Sequence, residues 1–399
     1  MEGRNEHQPG RRWPRCGKDR IHDGPRRLDA MPARVLVVGG GVIGLSCAWR
    51  LAESGHAVTL VAPAPGRDGA SFVAAGMLAP VTEAQFGEAP LTALLLEGAR
   101  QWKEFATSLE TAAGRDIGFD ESGTLTVALD TSDRAALDDL LAYQHALGLT
   151  AHRRTASACR ALVAPLTTAL RGGIEVPGDH QVDNRALLGA LVAAGHAAGV
   201  TLVRATVSAI ADGPSVVLPD GRRLDADHVL LAAGVGTPSI AGLAEAGLPE
   251  IRPVKGHILR LGPAPGAPLL RRTVRALVHG RSIYLVPRPD GSLVVGATVE
   301  ERGHDTTVQA GAVHELLDDA RAVVPAIDEL ELLEARAGLR PATGDNRPVI
   351  GWTRLDGVAV ATGHYRNGIL LAPLTAAAVV SLVAGEPLSP DLAALAPGP

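Results

Sequence analysis

RVLVVGGGVIGLSCAWRLAESGHAVTLVA, residues 34–62, has the pattern of a strand, a glycine-rich loop, a helix and a second strand. Its apolar residues at 35–38 predict a buried parallel strand, and glycines at 39, 41 and 44 follow with G-x-G-x-x-G spacing. Apolar residues at helical spacing come next, Gly55 ends the predicted helix, and Ala57–Val61 predicts a second strand. Unpaired amides at the start of such a helix favour a pyrophosphate. The segment therefore predicts a dinucleotide-binding βαβ unit.

The three glycines have separate roles in this interpretation. Gly39 allows a tight turn, Gly41 lets the backbone approach the pyrophosphate, and Gly44 lets the helix lie close to the strand. A glycine-rich turn without function is the alternative, and the flanking strand and helix disfavour it. The second strand ends in Ala62-Pro63, where an acid usually holds a ribose hydroxyl. This departure argues against simple NAD(H) binding and favours a cofactor such as FAD, which is anchored at many points.

Composition, charge and cysteine content exclude several classes of function. A length of 399 residues is sufficient for two domains, and a net charge of −5 with a pI near 6.2 argues against nucleic acid as the main partner. Three cysteines without C-x-x-C spacing and 13 histidines without zinc-ligand spacing predict no metal site and favour a cytoplasmic protein. Residues 1–30 lack the apolar run of a secretory signal. We expect them to be a disordered extension, with Met31 as an alternative start.

The predicted elements indicate an α/β fold with an insertion. The α/β pattern occurs at the start, in the middle and at the end of the chain, and a run of predicted antiparallel strands separates these parts: Ile258–Leu261, Ala276–His279, Ile283–Val286 and Leu293–Ala297. We therefore predict a discontinuous Rossmann-like nucleotide domain that carries an inserted antiparallel-sheet α+β substrate domain. The predicted nucleotide domain covers residues 31–113, 180–250 and 335–390, and the predicted substrate domain covers residues 114–179 and 251–334.

Five further motifs follow the glycine loop along the chain: Ala74–Pro80, Pro253–Gly256, Ile283–Arg288, Gly338–Pro341 and His364–Leu370. In this order, the motifs resemble those of the D-amino-acid oxidase family of flavoenzymes, and within it the glycine oxidase (ThiO) group of the thiamine pathway. The resemblance extends from about Met31 to Glu386. The Gly-Leu-Arg-Pro and Tyr-Arg-Asn-Gly-Ile-Leu motifs are the specific ones, because the glycine loop occurs in many Rossmann enzymes.

The resemblance implies that the nucleotide domain binds FAD non-covalently. Ala62-Pro63 stand where the family usually has an acid for the adenosine ribose, so only backbone contacts are expected there. Gly234 is added to the implied contacts because a glycine after a buried strand allows a ligand to approach the backbone. The expected cofactor-binding residues are Gly39, Gly41, Val42, Ile43, Gly44, Ala62, Pro63, Ala70, Ser71, Ala75, Gly76, Met77, Val207, Gly234, His364, Tyr365, Arg366, Asn367, Gly368, Ile369 and Leu370.

The same resemblance implies substrate-binding and catalytic roles for Arg340, Arg366 and Tyr284. The planar fork of an arginine suits the carboxylate of an amino acid, because it offers two parallel hydrogen bonds. Arg340 is expected directly after a strand and before a proline, which makes a stiff mount. The structural alternatives are a salt bridge for Arg340, a solvated loop charge for Arg366 and a packed sheet residue for Tyr284.

The C-terminal apolar segment Ile369–Ala384 predicts a core helix, because it is short for a membrane span and contains Pro373. Its start near Gly368-Ile369 would direct unpaired amides and the positive end of the helix dipole at the flavin. We expect these amides to stabilise negative charge on the reduced cofactor.

The implied reaction is the oxidation of glycine by O2 and water to glyoxylate, ammonia and hydrogen peroxide, with hydride transfer from Cα to flavin N5. The resemblance also suggests that the imine product is handed to a thiazole synthase. Sarcosine, D-proline and other small D-amino acids stay open as substrates, and so does a homo-oligomeric state. The alternative from another class is a non-catalytic nucleotide-binding protein.

Overall fold

The computed structural model describes residues 32–398, so the expectation for residues 1–30 lies outside the described part. The strands within it are β1 (Arg34–Val38), β2 (Ala57–Val61), β3 (Met77–Leu78), β4 (Thr124–Ala128), β5 (His152–Arg154), β6 (Gly172–Val176), β7 (His180–Gln181), β8 (Thr201–Val203), β9 (Ala209–Ala211), β10 (Ser215–Val217), β11 (Arg223–Asp225), β12 (His228–Leu231), β13 (Arg252–Leu261), β14 (Thr273–Val278), β15 (Arg281–Pro287), β16 (Leu293–Gly296), β17 (Leu332–Ala342), β18 (Val349–Trp352) and β19 (Val358–Thr362).

The helices begin at residues suited to that position. Asp183 is of a residue type typical of an N-cap, and its side chain accepts hydrogen bonds from the first-turn amides of α6; Asp130 forms a capping box with Asp133 at the start of α4. The α-helices are α1 (Val42–Glu53), α2 (Gly69–Val73), α3 (Ala89–Ala113), α4 (Thr131–Ala146), α5 (Ala156–Leu162), α6 (Asn184–Ala197), α7 (Ala310–Val323), α8 (Ala372–Val383) and α9 (Pro390–Ala393). Two 3-10 helices cover Gly234–Ser239 and Pro325–Glu329.

A six-stranded sheet carries the glycine loop. Its order is β18-β19-β12-β1-β2-β8, and all neighbouring pairs are parallel except β18 with β19. The core beside it is built from α1, α3, α6 and α8, with Trp49 and Leu51 of α1 fully buried. Because β1 lies between β2 and β12, the crevice beyond its carboxyl end is the ligand position expected of such sheets. The Rossmann-like prediction is confirmed.

An eight-stranded sheet forms the second layer, with the order β17-β13-β16-β15-β14-β4-β6-β5. Its pairs are antiparallel except β4 with β14, which are parallel, so the sheet is mixed where the sequence predicted an antiparallel one. Its strands come from the predicted substrate segments and from β17, which crosses the predicted boundary between residues 334 and 335. The exact domain boundaries stay a prediction.

Two elements near the site differ from expectation. Arg340 and Pro341 lie inside β17 and not after its end. Proline is tolerated there because β17 is the edge strand of its sheet. The C-terminal helix begins at Ala372, because Pro373 fits only the first helical turn, and residues 368–371 form turns before it. No helix within residues 32–398 is long and apolar enough to span a bilayer.

Candidate active site

A cavity of about 1190 Å³ is lined by residues that follow β1, β2 and β12 and by residues of the second sheet. Pockets for a single drug-sized ligand measure roughly 300–1,000 Å³, so this one has room for a dinucleotide and a small substrate. Gly44 is the one predicted site residue outside the lining. The others all line the cavity: Gly39, Gly41, Val42, Ile43, Ala62, Pro63, Ala70, Ser71, Ala75, Gly76, Met77, Val207, Gly234, Tyr284, Arg340, His364, Tyr365, Arg366, Asn367, Gly368, Ile369 and Leu370.

Gly44 acts on the loop through packing. A Cβ atom at Gly44 would lie 1.9 Å from the carbonyl oxygen of Gly39, so only glycine lets α1 approach the loop this closely. Gly39 has φ +117°, and a Cβ atom there would lie 2.3 Å from the carbonyl oxygen of Ala232. That Gly44 contacts the cofactor stays a prediction, while its expected packing role agrees with the geometry.

The lining fits a long anionic cofactor. Gly41 is the N-cap of α1 and has no side chain to cap the helix, so first-turn amides beyond that of Val42 are free for a phosphate. The Val42 amide is taken by Ser71 Oγ at 3.0 Å, which joins α2 to the loop. Within residues 32–398, the amides of Gly368, Ile369 and Leu370 donate to no protein acceptor, and these three residues line the cavity in the turn before α8.

Asp68 is a cavity residue that sequence reasoning missed. It lies six residues after Ala62, caps α2 through the Gly69 amide at 2.7 Å, and is exposed at the cavity wall. A carboxylate at this place can accept hydrogen bonds from ribose hydroxyls, a contact that sequence reasoning left to the backbone. The available signal was the Asp-Gly pair before a short helix, which is typical of an N-cap.

Arg340 is held by backbone groups. Its Nη1 donates to the carbonyl oxygens of Lys255 at 3.3 Å and Thr298 at 3.2 Å. The guanidinium lies against Gly256, where a Cβ atom would come within 2.3–2.6 Å of its atoms. No carboxylate within residues 32–398 forms a salt bridge with Arg340, which removes the salt-bridge alternative for the described part of the chain. The guanidinium is free to bind a ligand carboxylate.

Arg366 and Tyr284 complete the predicted substrate residues. Arg366 is exposed at the cavity and stacks over the ring of Tyr365, with its guanidinium carbon 4.6 Å from the ring centroid. Tyr284 lies on β15 opposite Gly296. Burial raises the pKa of Tyr284 although Arg340 and Arg275 lower it, so its hydroxyl is protonated at neutral pH.

Glu83 and Arg275 form a cavity-lining ion pair that sequence reasoning did not find. Arg275 lies on β14 directly opposite Tyr284 of β15. Asp179 fixes the segment before Glu83, because it accepts hydrogen bonds from the amides of Val81 and Thr82 at 3.0 Å. Burial raises the pKa of Asp179 to about 6. No local pattern predicts this pair, since its members are 192 positions apart.

The connection of residues 297–309, which we call the cover loop, is a further wall of the cavity. A connection of this length without regular structure is typical of active-site lids. Lys255 is fully buried and donates through Nζ to Asp305 Oδ2 at 2.7 Å, the Thr307 carbonyl at 2.7 Å and Gln309 Oε1 at 2.9 Å. The cover loop is therefore tied to the strand that supports Arg340.

Lys255→Met should loosen the cover loop. Hydrogen bonds to a charged group contribute about 1.5–3 kcal/mol each, so losing them should favour local opening by about tenfold or more. Trypsin should then cleave after Arg302, the exposed basic residue of the loop, about tenfold faster in protein saturated with FAD. Lys103→Met, which breaks an exposed pair with Glu121, is the control and should leave the rate unchanged. An unchanged rate in Lys255→Met would contradict the anchor.

His364 is buried in the wall of the cavity, and its Nε2 lies 3.0 Å from Thr375 Oγ1. Burial lowers its pKa to about 3, so the imidazole is neutral at physiological pH. In the unfolded chain, the imidazole of His364 binds a proton below about pH 6.5, whereas in the folded chain it does so only near pH 3. The free energy of unfolding therefore falls as the pH is lowered from about 6.5 to 3.

His364→Gln should make the protein less sensitive to acid. Between pH 6.5 and 4.5, wild type should lose about 2 kcal/mol of unfolding free energy through this group, since each unit of proton linkage is about 1.4 kcal/mol and the unfolded imidazole is only half protonated at pH 6.5. The variant should lack that part of the loss, measured by urea unfolding at both pH values. His314→Gln, at an exposed position on α7, should behave as wild type. Equal acid sensitivity in His364→Gln and wild type would rule out this group as the cause.

Comparisons with known proteins place the chain among flavin-dependent oxidoreductases. The family model described as DAO, FAD dependent oxidoreductase, matches residues 34–382. Glycine oxidase from Geobacillus kaustophilus is 35% identical over 369 residues, which are 90% of this chain and 95% of that protein. A crystal structure of glycine oxidase from the same organism has a TM-score of 0.84 at 33% identity, covering 92% of this chain and 99% of that chain.

Two other relatives broaden the comparison. The bifunctional protein ThiO/ThiG of Synechocystis sp. is 33% identical over 91% of this chain, which spans about half (53%) of that protein's length. The crystal structure of iminodiacetate oxidase from Chelativorans sp. has a TM-score of 0.80 at 30% identity, covering 91% of this chain and 99% of that one. The expected family and cofactor are confirmed. The chain belongs to the DAO family of FAD-dependent oxidoreductases.

Proposed function

We propose that this protein is an oxidase of glycine, within the FAD-dependent amino-acid oxidases that it resembles. The observation that carries the proposal is the pair of guanidinium groups, Arg340 and Arg366, that have no carboxylate partner within residues 32–398 and share a cavity with the glycine loop. A substrate carboxylate is the group that two free guanidiniums fit best.

The protein residues supply orientation, charge and exclusion of water. Arg340 fixes the substrate carboxylate, and its backbone partners Lys255 and Thr298 fix the direction of its guanidinium. The protonated Tyr284 hydroxyl lies in the neighbouring wall, where it is available to donate a hydrogen bond to the substrate. FAD, when bound, accepts two electrons from the substrate and passes them to O2. No side chain has to remove a proton if the substrate binds with a neutral amine.

The free amides of residues 368–370 are the groups that would face negative charge on the cofactor. These amides belong to a turn, because α8 begins only at Ala372. The positive end of the α8 dipole therefore lies directly behind this turn. Trp102 holds this turn in place, since its Nε1 donates to the Leu370 carbonyl at 2.8 Å. The turn is therefore pre-organised for its ligand.

The identity of the amine and the fate of the product complete the proposal. Sarcosine and small D-amino acids are alternative substrates, because the same carboxylate contact serves them. We also propose that the imine passes to a thiamine-pathway enzyme, which is supported by the bifunctional name of the Synechocystis relative. A homo-oligomeric state is part of the same proposal.

Anaerobic mixing of the FAD-loaded protein with glycine, sarcosine, D-alanine and D-proline in turn tests the substrate. Rapid loss of the flavin absorbance with glycine, followed by peroxide formation on admission of air, is the expected result. Faster bleaching with sarcosine or a D-amino acid would replace glycine by that substrate. Absence of bleaching with all four would overturn the proposal and favour a protein that binds the nucleotide without catalysis.

A further inference from the structure

The substrate end of the cavity carries an excess of positive charge. Three arginines line it there, Arg275, Arg340 and Arg366, and Glu83 is the acid next to them. Glu83 and Arg275 form an ion pair in which each side chain is only 13% exposed. Of the three guanidiniums, Arg275 is therefore the one that the protein itself neutralises.

The pair is built rigidly. Arg275 lies inside β14, between β15 and β4, so its backbone is fixed by strand pairing on both sides, and its side chain is held by Glu83. Its Nη1 also lies 4.0 Å from Met77 Sδ, at the predicted flavin side of the cavity. The segment before Glu83 is held by three hydrogen bonds to Asp179, the shortest from Thr82 Oγ1 at 2.6 Å.

Glu83 is a carboxylate in this setting. Burial alone would raise its pKa, but the guanidiniums of Arg275, Arg366 and Arg340 outweigh burial and hold the pKa below its usual value. A fixed negative charge here cancels Arg275 and repels a second anionic group of a ligand. With two free guanidiniums left, the site matches one substrate carboxylate held by a double contact.

We propose that Glu83 is a specificity-determining residue that restricts the substrate to compounds with a single carboxylate. The inference rests on the proposed function and extends it, because it names the class of amino acid that the site accepts. Iminodiacetate, after which the related oxidase from Chelativorans sp. is named, carries two carboxylates. Here, the place for a second carboxylate beside Arg275 is already filled by the protein's own Glu83.

Ligand binding without turnover tests the proposal. Acetate and malonate, with one and two carboxylates, are titrated into the FAD-loaded protein and their Kd values are read from the change in flavin absorbance. Glu83→Gln keeps the shape of the side chain and exposes the charge of Arg275. We expect the ratio of the acetate Kd to the malonate Kd to rise about tenfold to a hundredfold in the variant, since a charge-assisted pair becomes available to the second carboxylate.

Two further variants test whether the change in the Kd ratio comes from the exposed charge of Arg275 or from the loss of any acid at the cavity. In Glu83→Gln/Arg275→Gln, the guanidinium that the second carboxylate would bind is removed together with Glu83, and the ratio should return to within about threefold of wild type. Glu315→Gln removes an exposed acid from the outer wall of the same cavity and should leave the ratio within about twofold of wild type. An unchanged ratio in Glu83→Gln, or an equal rise in Glu315→Gln, would overturn the proposal.

The wild-type protein provides a test that does not depend on folding of a variant. It should bind acetate more tightly than malonate, and tighter binding of malonate would contradict the proposal. Because both readouts are equilibrium binding, they stay valid if glycine is not oxidised. If the Kd ratios are as expected but glycine is not oxidised, only the proposed reaction is rejected. If glycine is oxidised but the Kd ratio is unchanged in Glu83→Gln, only the role of Glu83 is rejected.

Discussion

Replacing Arg340 with alanine should raise the KM for glycine by about a hundredfold to a thousandfold. Removing one partner of a buried, hydrogen-bonded charge pair costs roughly 2–5 kcal/mol, and each 1.4 kcal/mol is a factor of ten. The guanidinium has no protein carboxylate within residues 32–398 to lose, so the cost falls on ligand binding. The fold should persist, because β17 keeps its pairing with β13.

Steady-state oxygen consumption at varied glycine, together with the Kd of acetate, measures this effect. A parallel loss of acetate binding would identify the missing contact as the carboxylate contact. Arg336→Ala is the matched control, since Arg336 lies on the same strand in an exposed pair with Glu334. It should change KM by no more than about twofold, as expected for a surface ion pair. Wild-type KM and acetate affinity in Arg340→Ala would refute the carboxylate role.

The fold was predictable where a local pattern has one physical solution. A glycine loop between an apolar strand and a helix can hardly form anything other than a tight βαβ turn, and Asp183 at the start of α6 is a cap in sequence and in structure. The parallel pairing of β4 with β14 was not predictable, because 149 positions separate each residue from its partner and no turn fixes their register. The extension of β17 past Pro341 depends on its edge position, which local sequence does not reveal.

The site was predictable where a motif carried it. Arg340 and Tyr284 belong to motifs of the resembled family, and both line the cavity. The Glu83–Arg275 pair and the anchoring of the cover loop by Lys255 join residues far apart in sequence, so their chemistry arises only once the chain is folded. A buried lysine within an apolar strand is by itself a weak signal, because its partners could lie anywhere in the chain.

Gly44→Ala should abolish stable FAD binding. The added methyl group would lie 1.9 Å from the Gly39 carbonyl oxygen, and the obstacle is backbone, so the loop and α1 have to separate. Overpacking of this kind costs about 1–3 kcal/mol even where side chains can adjust. Here it also displaces the backbone next to the predicted pyrophosphate position. We expect a nearly colourless protein after purification, with a Kd for FAD raised about a hundredfold or more.

The thermal unfolding of the apoprotein and of FAD-saturated protein separates loss of stability from loss of binding. A ligand that binds the folded state stabilises it by RT ln(1 + [L]/Kd), so wild type should gain a large shift in Tm with FAD and Gly44→Ala almost none. Gly189→Ala is the matched control, because a Cβ there meets nothing nearer than Arg115 Nη1 at 3.6 Å. Within α6, that change should stabilise the fold by about 0.5–1 kcal/mol and keep the FAD shift. If Gly44→Ala retained the wild-type shift, the glycine loop could not be the seat of the cofactor, and the whole assignment of the cavity would have to change.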